Sequence, residues 1–138
     1  MRRWIPLLLS ALSISLLSSK PANASEVCRA SQSTVDESRC VMKALQTLDR
    51  KLEAAMARVA AEAASSGDKT FRALWRENLT GFYRTSSDPK EQAAAFRAER
   101  RRVCAYAKSV SFQGTGYGIF TTRCELALTD TLLDQLKL

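Results

Sequence analysis

The sequence predicts an all-α fold, a small disulfide-stapled domain of about four helices. Three observations carry this. Apolar residues recur at steps of three and four through four successive stretches, the spacing of one helix face. N-capping residues and Gly, Ser or Pro breaks separate those stretches. Four cysteines occur in a chain of 138 residues whose start reads as an export signal, the setting in which small domains take disulfides. A short run at residues 117–121 is the one strand-like exception.

Met1, Arg2 and Arg3 give a basic start, residues 5–17 an apolar run broken only by serines and Pro6, and Ala22-Asn23-Ala24 a cleavage site. Residues 1–24 are thus expected to be a signal peptide, and residues 25–138 the mature helical domain. The apolar run is too short to span a bilayer comfortably, and no cysteine stands at the cut as a lipid-attachment site would require. The expected location is periplasmic or secreted, with no stable membrane insertion after cleavage. The whole chain has 21 Lys and Arg against 14 Asp and Glu, a net of +7; loss of Arg2, Arg3 and Lys20 leaves 18 against 14, a net of +4. So mild an excess on an exported chain argues against a nucleic-acid partner.

The first helix is expected to start inside the segment between Cys28 and Cys40. Thr34 is the expected N-cap, with Glu37 returning a bond to its backbone N–H. Val41, Leu45, Leu48, Leu52, Met56, Val59 and Ala63 then form one face. The alanines of residues 54–64 favour helix and permit close approach of a neighbour. A break could fall at residues 40–43, where the disulfide pulls, and the helix should end near Ser65 and Ser66 with Gly67 in the left-handed position.

Asp68 caps the second helix. Phe71, Leu74, Trp75, Asn78, Leu79 and Phe82 follow at helical spacing, and this aromatic stripe is expected to be core, with Trp75 buried; a partner-binding ridge is the second reading. Ser87 or Asp88, followed by Pro89, starts the third helix. This helix runs through Ala93, Phe96, Arg100, Val103 and Ala107. Lys90, Glu91, Arg97, Glu99, Arg101 and Arg102 form the charged face. The run Arg100, Arg101, Arg102 is expected to be a solvated helix face; the sharper reading is a weak contact with an anionic envelope surface.

Gly114, Gly116 and Gly118 cannot hold a helix together and should form an exposed turn with Tyr117 projecting. Gln113, Gly114, Thr115, Gly116 and Tyr117 are the candidate partner-binding residues, because a tied loop loses less entropy on binding; a plain tether between helices is the competing reading. The last helix should start near Thr121 or Thr122 and carry Cys124, Leu128, Thr131, Leu132, Gln135 and Leu136 mostly on one side.

Catalytic chemistry is hard to build here. Histidine is absent, and no Cys-x-x-Cys pair exists, so neither a metal site, a redox centre nor a bound cofactor is expected. Asp36, Glu37, Asp49, Glu53 and Glu77 lie at helix starts or near basic residues, which capping and solvated faces explain. The four cysteines allow three pairings.

Cys28, Thr34 with Glu37, Cys40, and Leu45, Leu48, Asp49 and Leu52 together resemble the opening of the lysozyme-inhibitor LprI-like family, with Met56 where that family usually has Tyr. The resemblance resumes at Arg101 with Cys104, the Gly-rich turn, Cys124, and Thr129 with Leu132, Leu133 and Leu136; the third helix lacks the family's Trp. The resemblance favours pairing Cys28 with Cys40 and Cys104 with Cys124. It implies an exported helical envelope protein similar to inhibitors that bind lysozyme and block peptidoglycan hydrolysis. The alternative is a general periplasmic structural or partner-binding module with no lysozyme role.

Overall fold

A computed structural model describes residues 26–137. The expected signal peptide, residues 1–24, lies outside the described residues. The chain forms α1 (Thr34–Ser65), α2 (Lys69–Glu77) running on into a π-helical turn (Asn78–Phe82), α3 (Pro89–Ala107), a 3-10 turn (Ser109–Ser111) and α4 (Tyr117–Gln135). The fold is all-α with four principal helices, as its apolar spacing predicts, and no strand occurs among the described residues.

The 32 residues of α1 make a rod of about 48 Å that the other helices pack along. Cross-helix pairs give the directions. Glu37 meets Arg123, and Arg58 donates to the Leu136 carbonyl, so α4 runs parallel to α1. Glu53 meets Arg97 while Asp49 meets Arg100, so α3 runs antiparallel to α1. Val41, Leu52, Ala55, Ala63, Ala93, Ile119 and Leu126 are buried between them. Ala55, Ala63 and Ala93 are small enough to bring the backbones close. At one end Val41 and Leu126 form a cluster with Cys28, Ala44, Leu45 and Leu48.

The helix ends differ from expectation at three places. Ser33, not Thr34, caps α1: its extended backbone sits just outside the helix, and its Oγ accepts from the Asp36 N–H at 3.1 Å. Glu37 is thereby free to pair with Arg123 at 2.6 Å. At the other end Gly67 is not left-handed. Ser66 turns to ψ 129°, because only Ser66 and Gly67 separate α1 from the Asp68 cap of α2. The start of α4 is Tyr117, earlier than expected. Thr121 and Thr122 do not cap; their hydroxyls donate back to the carbonyls of Tyr117 and Gly118, at 3.1 and 2.8 Å. The strand-like run is simply the first turn of α4.

α1 continues unbroken through residues 40–43. Cys28 adopts φ 73°, so the loop turns in the left-handed region and the helix keeps its geometry. Asp88 caps α3 as expected, accepting from the Lys90 and Glu91 N–H groups at 2.7 and 3.1 Å, with Pro89 at the first helical position.

The second helix departs most from its expected role. No residue of α2 or of the π-helical turn is buried. Trp75 is half-buried, lying with Leu79 beside Met56, Val59 and Pro89. Phe71 and Leu74 are exposed, and Phe82 is 77% exposed. The stripe is therefore not core; one edge rests on α1 and the other faces solvent.

Candidate partner-binding tip

α3 and α4 are joined at one pole of the molecule by a folded tip. Five backbone bonds shape it: Lys108 to Cys104, Ser111 to Lys108, Phe112 to Ser109, Gly114 to Ser111, and Tyr117 to Gly114, at 2.9 to 3.3 Å. The Cys104–Cys124 bridge ties its base, with the Cα atoms 5.6 Å apart. The Cys28–Cys40 bridge closes the loop at the start of α1, with its Cα atoms 5.8 Å apart. At Gly116 an added Cβ would meet the Phe120 ring at 3.1 Å, a tight contact that the half-exposed ring would have to relieve by a small shift.

Tyr117 does not project, contrary to expectation. It is half-buried, and its ring packs edge-on against Phe112, the centroids 4.5 Å apart. Gln113, Gly114 and Thr115 are exposed, while Gly116 is half-buried. The side chains that do project are Tyr106, 85% exposed, Val110, 95% exposed, and Phe112. Sequence reasoning missed these three. Their signal was that none fits the apolar face of a helix: Tyr106 lies off the inner face of α3, and Val110 and Phe112 fall between periods. Beside the tip, Met42, Arg97, Arg101, Tyr117, Thr121 and Glu125 line an open groove of about 560 Å³.

The floor of that groove is a buried ion cluster. Arg100, 4% exposed, is not part of a solvated basic run. It holds Asp49 of α1 with both terminal nitrogens, at 2.5 and 2.9 Å, and Glu125 of α4 through Nε at 3.1 Å. It also donates to Thr129 Oγ1 at 2.8 Å, and the Phe96 ring centroid lies 5.8 Å from its guanidinium carbon. Burial works to lower the Arg100 pKa, but the hydrogen bonds to Asp49 and Glu125 outweigh it and raise the pKa above its usual value. The surface basic face is thus reduced to Arg101 and Arg102, the latter paired with Glu99 at 3.2 Å. The candidate carboxylates are also relocated. Glu37 and Asp49 each pair with an arginine of another helix instead of serving as caps or solvated charges, while Glu53 stays exposed and pairs with Arg97 of α3. Among the described residues no group of three His, Cys, Asp or Glu is placed to hold a metal.

The described residues form a helical scaffold tied by two disulfides, with a braced tip that presents apolar and polar groups. The chain belongs to the lysozyme inhibitor LprI family, whose model matches residues 25–136. No curated protein and no solved structure matches it.

Proposed function

We propose that the protein is an exported envelope protein that binds a lysozyme through the tip and blocks peptidoglycan hydrolysis. The observation that carries this is the tip itself: Tyr106, Val110 and Phe112 stand exposed beside Gln113, Gly114 and Thr115 on a turn whose base is covalently closed. Membership of the family supports lysozyme as the partner, and the leader-like residues 1–24 support export. A braced tip enters a cleft with little ordering cost, and exposed aromatics are the side chains that anchor interfaces. The lysozyme cleft carries two acidic groups, which suit the donors of Gln113 and Thr115.

The net charge of +4 works against long-range attraction to animal lysozymes, which are strongly basic. Inhibition should therefore strengthen as salt screens the repulsion. The test is a lysozyme activity assay with purified, oxidised protein over a range of salt. Dose-dependent inhibition that Val110→Ser with Phe112→Ser abolishes supports the reading. Full activity of several lysozyme types at micromolar excess of the protein would remove it and leave a general envelope module in its place.

A further inference from the structure

We propose a second contact surface: the exposed ridge of α2 and the π-helical turn docks on a bilayer carrying anionic headgroups. The segment is uncommon in having no buried residue, yet it carries Phe71, Leu74, Trp75, Leu79, Phe82 and Tyr83 within thirteen positions. Trp75 and Leu79 line a small cavity against α1. Phe71, Leu74, Phe82 and Tyr83 remain exposed, the last two with their rings 4.9 Å apart. An exposed cluster of this kind marks an interaction site.

The charges select the occupant. From position 69 to 84 the chain has Lys69, Arg72, Arg76 and Arg84 against Glu77 alone, a local net charge of +3. The Arg72 guanidinium is engaged on the Ser66 carbonyl. Lys69, Arg76 and Arg84 are exposed and make no ion pair among the described residues. At about 100° per residue, Phe71, Leu74, Trp75 and Leu79 fall in one half of the helix and Lys69, Arg72 and Arg76 in the other. Aromatics and leucine on one face with cations on the opposite face are the pattern of a helix lying in the headgroup plane. A shallow, in-plane contact is consistent with the helix lengths: no helix among the described residues is long and apolar enough to cross a membrane. α2 joins the start of α3 and the tip joins its end, so 19 residues, about 28 Å of helix, separate the two surfaces. Docking by the ridge leaves the tip free.

The experiment is sedimentation of the oxidised chain lacking residues 1–24 with vesicles, either pure phosphatidylcholine or an equal mixture with phosphatidylglycerol. We expect at least tenfold stronger binding to the mixed vesicles, weakening as salt rises. Trp75 is the one tryptophan after residue 24, so its fluorescence should shift on binding. Phe71→Ser with Leu74→Ser and Phe82→Ser should lose at least tenfold in binding at an unchanged melting temperature, because all three are exposed. Lys69→Glu with Arg76→Glu should do the same. Arg101→Glu with Arg102→Glu, on α3, should bind like the parent. Absence of binding to mixed vesicles at low salt overturns the proposal. So does loss of binding in the α3 variant alone. If the ridge variant loses lysozyme inhibition and keeps vesicle binding, the ridge is a protein contact and the lipid assignment falls.

Discussion

Replacing Arg100 by Ala should be the most damaging single change to the fold. Its side chain is 3% exposed, and its partners Asp49 and Glu125 are 23% and 12% exposed. Alanine would remove the hydrogen bonds to Asp49, Glu125 and Thr129 and strand two carboxylates on neighbouring helices. Removing one partner of a buried ion pair costs about 3–5 kcal/mol, against a net stability of about 5–15 kcal/mol for a domain of this kind. At about 4 °C per kcal/mol, the melting temperature should fall by about 12–20 °C. Urea and thermal unfolding followed by far-ultraviolet circular dichroism would measure it. A companion variant, Arg100→Met with Asp49→Leu and Glu125→Leu, removes the charges together and should recover most of the loss, since apolar replacement of a whole buried cluster is often neutral or stabilising. If Arg100→Ala unfolds within about 1 kcal/mol of the parent at neutral pH, the three-helix cluster is not what holds α1, α3 and α4 in register.

Phe112→Ser should weaken lysozyme inhibition by more than tenfold while leaving the unfolding midpoint nearly unmoved, because the residue is mostly exposed although its ring packs edge-on against Tyr117; a large midpoint shift would make it a structural residue. Non-reducing peptide mapping should recover Cys28 with Cys40 and Cys104 with Cys124, and reduction should cost about 3 kcal/mol per bridge on the loop-entropy estimate. Trp75→Ala should cost about 1–2 kcal/mol, below the 3–5 kcal/mol of a fully buried large aromatic, since Trp75 is only half-buried. The exported protein should begin at Ser25 by mass spectrometry; a species retaining residues 1–24 would overturn the reading of the leader.

The elements were legible because local chemistry decides them. Asp68, Asp88 and Pro89 sit where their side chains and ring require a helix start, and the leucine spacing of α1 identifies its packed face. What periodicity leaves out is which side of a face finds a neighbour. Phe71, Leu74 and Phe82 have the spacing of a buried stripe, and nothing local separates a stripe covered by its own chain from one left uncovered. Arg100 was misjudged for a related reason. Its two basic neighbours suggested a solvated run, although it lies four residues after Phe96 and four before Cys104 on the inner face. A firmer signal was Asp49, a carboxylate within the Leu45, Leu48, Leu52 face that needs a buried cation opposite. The tip was located from its glycines, but glycines reveal a turn and not which side chains leave it. Val110 and Phe112 emerge there only once the 3-10 turn is formed.

Both disulfides lie at the pole where α1 and α4 begin, beside the Val41–Leu126 cluster. At the far pole, α2, the end of α1 and the start of α3 are held by non-covalent packing alone. Opening should therefore be graded along the long axis: amide exchange slowest around Val41 and Leu126 and fastest through residues 66–87. A protease acting on the native protein should then cut first in that segment. The product would keep a covalently closed α3–tip–α4 hairpin and, on the separate α1 fragment, the loop at its start, so the tip would keep its shape after α1 is no longer joined to it by the chain.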